Sequence, residues 1–162
     1  MPSVIVDTSA IQYVYQLDLF DLFLKLYSQI IIPAGVASEI SQGLALGVSL
    51  PDLNTLTWVK IVDVSTEQLI PTLPNLGMGE REVISLSVNI PDSLAILDDG
   101  LARAYAKELN VAFTGTLGIL LKAKQAGLLN MLSPVLIELN ALGFRVDSKT
   151  QQFVLKLAGE VS

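Results

Sequence analysis

Four short apolar runs in this chain each end on residues suited to starting a helix. Ser3–Val6 gives way to Asp7-Thr8-Ser9, Gln29–Ile32 to Pro33, Leu94–Leu97 to Asp98-Asp99-Gly100, and Val111–Thr114 to Gly115-Thr116. Short runs rich in Val, Ile and Leu read as strands, and Asp, Ser, Thr or Pro at their ends signal helix starts. Strands alternating with helices pair in parallel through crossover connections. The expectation is an α/β fold: one domain over residues 1–162, with a central, mostly parallel sheet and helices on both faces.

The remaining segments fit this frame. Apolar residues at helical spacing from Ile11 to Tyr27 predict a helix, and another follows Pro33 through Val36, Glu39 and Ile40. Gly43–Thr57 reads as loop or broken helix, and Trp58–Val64 as an edge strand. Pro71–Gly77 is a second loop. Helices are expected at Gly79–Asn89, Gly100–Asn110, Thr116–Ala126, Pro134–Leu142 and Thr150–Ala158.

Composition removes whole classes of chemistry. The 162 residues include no cysteine and no histidine. Disulfides, Cys/His zinc sites, Ser-His-Asp triads and Cys-His pairs are therefore excluded. Acid–base work falls to carboxylates, Lys, Tyr or water on a metal with oxygen ligands. Half the chain is apolar (51%) and mean hydropathy is +0.56, yet charged residues and prolines break every greasy stretch. None reaches the roughly 18–20 apolar residues of a spanning helix. The first residues lack the basic flank of a signal peptide, so a cytoplasmic location is expected. The apolar surplus also suggests an oligomer interface. A net charge of −6 rules out a wholly basic nucleic-acid binder and leaves room only for a local basic patch. Arg81, Arg103, Lys107, Lys122 and Lys124 supply the candidates.

In parallel α/β sheets the functional site lies at the carboxyl ends of the strands. The unusual acids fall there. Asp7 ends the first strand, and its plain reading is a helix cap. Glu39 follows the second strand among apolar neighbours, where an unpaired carboxylate is costly. Glu80 opens a helix behind Gly77-Met78-Gly79, where the helix dipole favours an acid. Asp98 and Asp99 are least ordinary, because one acid suffices for a cap and adjacent like charges raise each other's pKa. Carboxylates from separate strand ends can converge on one hard cation, such as Mg²⁺ or Mn²⁺, which activates water and stabilises phosphoryl charge. Acids at strand ends also occur in phosphatases and receiver-like signalling domains. However, an Asp-x-Asp pair near the start is broken by Ser9, and the acid pair comes late in the chain rather than first.

In order along the chain, VIVDTSA, VASEI, GMGEREVISLS and AILDDGLARAYAKELNVAFTGTLGILLKAKQAGLL, with ALGFRV beyond, resemble a PIN domain. The GTLG turn is similar to that of a poorly characterised prokaryotic subfamily related to toxin–antitoxin ribonucleases. The resemblance implies a metal-dependent endoribonuclease using Mg²⁺ or Mn²⁺, with RNA as substrate. It further implies a possible small antitoxin partner and a homodimer. It matches Asp7, Glu39 and Glu80 to the first three catalytic and metal-binding acids, and Asp98 or Asp99 to the fourth, with Asp99 aligning slightly better. Thr8 or Ser9 would orient Asp7 or metal-bound water. Thr114 and Thr116 would cap a helix or contact phosphate, and the five cations named above would face nucleic acid. The other reading keeps the fold as a non-catalytic RNA- or protein-binding module.

Overall fold

A computed structural model describes residues 2–161. Five strands, β1 (Ser3–Val6), β2 (Ile30–Pro33), β3 (Val59–Val62), β4 (Ser93–Ile96) and β5 (Phe113–Thr114), form one sheet in the order β3-β2-β1-β4-β5. Every neighbouring pair is parallel. The central strands are buried on both sides, which explains their unbroken apolar runs: Val4, Ile5 and Val6 are all inside, as are Ala95 and Ile96.

The chain runs outwards from β1 to β2 to β3, then returns past β1 to β4 and β5. That reversal sends the helical crossover connections over the sheet in both directions. It also leaves a crevice at the carboxyl ends of β1 and β4, where strand order switches direction. The register pairs Val6 with Ile96. Asp7 and Asp98 therefore leave the two central strands at almost the same level.

The helices are α1 (Thr8–Gln16), α2 (Leu22–Tyr27), α3 (Ala34–Ala45), α4 (Met78–Asn89), α5 (Gly100–Glu108), α6 (Thr116–Gln125), α7 (Ser133–Ala141) and α8 (Ser148–Leu157). Ala10, Ile11, Val14 and Leu17 make the inward stripe of the first. The single helix expected over Ile11–Tyr27 is two, because Asp18 takes a left-handed backbone (φ 61°) that no helix continues through. The segment read as loop from Gly43 begins inside α3, and a short 3₁₀ turn occupies Leu53–Thr55. β3 is an edge strand, as expected of Trp58–Val64, and β5 is the other.

Two apolar clusters hold these elements. The larger surrounds the sheet, with Ile5, Phe23, Ile32, Ile84 and Ile96 among its buried members. The smaller joins α1, α2 and α6 to α7 and α8 through Leu17, Leu22, Leu120, Leu136, Leu139 and Leu155. It brings the last quarter of the chain against the first helix. Among the described residues no helix is long and apolar enough to cross a membrane.

Candidate active site

Asp7 sits at the N-cap position of α1, in extended backbone, but its side chain makes no capping hydrogen bond. The residue is only 5% exposed, and its Oδ1 is buried without any hydrogen-bond partner. The plain cap reading therefore fails for this residue. An orphaned buried carboxylate oxygen is expensive and wants a proton or a cation. Burial pushes the Asp7 carboxyl up to about 7; the Thr8 N–H works against this, and Glu80, Glu39 and Asp98 push it further in the same direction as burial.

The two hydroxyls after Asp7 reach away from it, each to a different acid. Thr8 Oγ1 donates to Glu39 Oε2 at 2.6 Å, and Ser9 Oγ donates to Asp98 Oδ2 at 2.9 Å. One turn of chain thus positions acids 31 and 89 residues distant. Glu39 is exposed rather than buried as its neighbours suggested. It flanks the inward row that includes Val36 and Ile40, and its side chain leans over the start of α4, where the Gly79 N–H donates to its Oε1 at 3.1 Å. Gly79 is what permits this, since a Cβ there would collide with the Glu39 carboxylate. A mirror-image contact, invisible in sequence, joins the same two helices: buried Glu82 of α4 accepts the Gly35 N–H of α3 at 3.0 Å, again against a glycine with no room for a Cβ.

Glu80 reaches back to the Gly77 N–H at 3.2 Å, the carboxylate half of a capping box. Its pKa is raised by burial, lowered by that N–H, and raised again by Asp99 and Glu39. The adjacent pair divides its labour. Asp99 is the cap of α5, accepting the Ala102 N–H at 2.9 Å. Asp98 turns the other way and accepts three hydrogen bonds, from Ser9 Oγ, Thr116 N (2.7 Å) and Thr116 Oγ1 (2.7 Å). Thr116 is fully buried in this role, at the start of α6. Thr114 stays out of it, because its hydroxyl packs against Gly118.

Asp7, Glu80, Asp98 and Asp99 line an open cavity of about 430 Å³, whose lining also includes Gly143, Phe144 and Arg145. A second lobe of about 370 Å³ shares Asp7, Ser9, Tyr13 and Glu80 and adds Thr8 and Glu39. Among the described residues none of these acids has a Lys or Arg ion-pair partner, and no three stand close enough to form a ready-made cation cage. The donor set nevertheless suits a hard divalent ion, which binds through one or two carboxylates and fills its shell with water. The orphaned Asp7 Oδ1 is the atom that such an ion would satisfy.

The expected cations mostly do not join the acids. Arg81 is held against the preceding loop, donating to Pro71 O at 3.4 Å. Lys122 stacks over the Tyr27 ring, and Lys124 pairs with Glu160 at 3.4 Å; both belong to the last turns of α6, far from its start at the site. Lys107 is likewise in the last turn of α5. Arg103, one turn inside α5, lies over Phe113, with its guanidinium near the Gly115 turn that cradles Asp98. Sequence reasoning overlooked Tyr13, Phe144 and Arg145 as cavity walls. The available signal was the Leu-Gly-Phe-Arg stretch, a helix stop that turns the chain back.

Residues 3–160 match a family model described as a PIN domain, and the chain belongs to the PIN-domain family. That is a nuclease-type fold. None of the curated proteins matches the chain.

Proposed function

We propose that this protein is a Mg²⁺- or Mn²⁺-dependent endoribonuclease whose acidic crevice hydrolyses phosphodiester bonds of RNA. The observation that carries the reading is the buried, partnerless Asp7 oxygen at the switch point of the sheet, with Glu39, Glu80 and Asp98 all pressing on the same charge.

In this reading Asp7, with Glu80 or Asp98 as a second ligand, would hold the ion and water would fill the rest of its shell, with Glu39 and Asp99 completing the acidic rim. When bound, the ion supplies an activated water and stabilises charge on the phosphoryl oxygens. The chain does the positioning. Ser9 and Thr116 fix the Asp98 carboxylate, and Thr8 with the Gly79 N–H fixes Glu39. Such outer partners orient the groups that touch the metal. Arg145 lines the cavity and Arg103 lies beside the Gly115 turn, so these are the cations that would face a bound backbone. Toxin activity, neutralised by a small antitoxin, and a homodimeric assembly in the cytoplasm belong to the same proposal and rest on the family resemblance.

The test is cleavage of single-stranded RNA with Mg²⁺ or Mn²⁺. Activity should vanish with EDTA and with Asp7→Asn. Cleavage that survives both would overturn the assignment. RNA binding with no turnover across metal titrations would replace it with a non-catalytic binding module.

A further inference from the structure

The acids account for part of the cavity lining and leave the rest unexplained. Much of that remainder comes from the turn after α7. Gly143, in the left-handed region at φ 102°, closes the helix: its N–H donates to Asn140 O at 3.0 Å, and the Phe144 N–H donates to Leu139 O at 3.2 Å. This pair of bonds is the Schellman arrangement, which sets the position of the residue after the glycine. Phe144 is thereby aimed at Tyr13 of α1, ring centroids 5.1 Å apart and planes at 89°. Both rings are half-buried and rooted in the smaller apolar cluster. An edge-to-face pair leaves at least one face of each ring uncovered by the other. Both rings line the cavity that holds Asp7, Glu80 and Asp98. Beside them Arg145 is exposed and has no ion-pair partner among the described residues; it is the one Lys or Arg on that cavity wall.

A rigid aromatic platform, a free guanidinium and an acidic centre around one open cavity match the chemistry of a single-stranded nucleotide. Unpaired bases stack on aromatic side chains, and Arg contacts the phosphate or stacks in turn. We propose that Tyr13 and Phe144 form a base-stacking subsite, with Arg145 on the adjoining phosphate, that seats one unpaired nucleotide of the RNA beside the acids. The inference rests on the ribonuclease reading above and deepens it. The substrate must present an unstacked base at this position, so single strands and loops are taken and continuous duplex is refused. Every base has a face that can stack, so the stacking contact is tolerant of base identity.

The test uses the intact protein and short single-stranded RNAs carrying the fluorescent adenine analogue 2-aminopurine at successive positions. They are titrated in EDTA and in Mg²⁺, and the Mg²⁺ samples are also run on gels for cleavage. The expected result is quenching at one position, lost in Phe144→Leu and kept in Phe144→Trp. An abasic nucleotide at that position should lower affinity by about 10-fold or more. This substitution leaves the protein untouched, so it reads the subsite even where Phe144→Leu weakens the fold. Arg145→Gln should weaken binding uniformly across sequences and reduce the salt dependence by about one phosphate contact.

Equal affinity for intact and abasic RNA, with no position-specific quenching, overturns the subsite. Cleavage without stacking overturns the subsite and leaves the nuclease standing. Stacking without cleavage does the reverse, and failure to bind RNA at all overturns both.

Discussion

Asp7 is the residue on which charge and burial disagree most. Its folded-state pKa of about 7 lies above the ordinary carboxyl value of 3.8. The unfolded chain therefore releases this proton first. Native stability falls as pH rises between those values, and the full penalty of ~2–4 kcal/mol is present above about pH 7. Asp7→Asn removes the charge. In metal-free buffer it should raise the melting temperature at pH 8, with the difference shrinking towards pH 4. Added Mg²⁺ should raise the melting temperature of the wild type and leave Asp7→Asn unmoved; equal responses would count against a cation at this carboxylate. The neighbouring acids separate by a different measurement. Asp99→Ala loses one exposed cap and should cost ~1 kcal/mol in urea unfolding, largely restored by Asp99→Ser. Asp98→Ala strands the buried Thr116 donors and should cost roughly 2–3 kcal/mol. That Asp7, Asp98 and Asp99 leave the ends of strands was legible in the sequence, because each follows a short apolar run. Which of Asp98 and Asp99 does what was not, since one-residue offsets after a strand point to opposite sides and only the partners Ser9, Thr116 and Ala102 distinguish them.

At the level of elements, α3 and α4 are locked by an exchange: each sends a glutamate to an N–H near the start of the other, against a glycine. Gly79→Ala forces the Glu39 carboxylate away, so a loss of ~1–3 kcal/mol is expected. Under the ribonuclease proposal, it also lowers cleavage activity. Gly100→Ala is the control. Nothing lies near its absent Cβ, it opens α5, and the substitution should be neutral or stabilising by up to ~1 kcal/mol. A urea series that ranks the two the other way would remove the lock. The helices themselves were readable from apolar spacing and from their start signals. The break at Asp18 was not, because the same stretch holds Asp21 in helical backbone, and residue type alone does not tell the two apart. Glu82 was invisible too: an acid inside a helix reads as solvated until the opposing glycine is seen.

Across the whole molecule, alternation of strand and helix made the parallel sheet and its edge strand legible, since both are local patterns. The order β3-β2-β1-β4-β5 was not, because any order with right-handed crossovers satisfies the same sequence signals. The attachment of the last helices was equally hidden, as it depends on a contact between the two ends. Glu160 ties the end of the chain to α6 and the start of α7, accepting the N–H groups of Leu132 and Ser133 at 2.6 and 3.0 Å and pairing with Lys124. Burial raises the Glu160 pKa, but those donors outweigh it and the net direction is down. Its contribution is therefore present above the unfolded carboxyl value of 4.5 and is lost as pH falls through the lower folded value. Glu160→Gln should lower the urea midpoint at pH 7, with the gap closing as pH falls below 4.5 and through the lower folded value; a pH-independent gap would assign the effect to packing alone.

The reach of Ser9 to Asp98 has a consequence in time. A ribosome releases Asp7 and its hydroxyls long before it has made the strand that Asp98 follows, and Phe144 and Arg145 emerge later still. Domains fold as units once their parts are available. A half-synthesised chain cannot assemble the crevice, so any chemistry it performs begins only after the codons of both Asp7 and Arg145 have been translated.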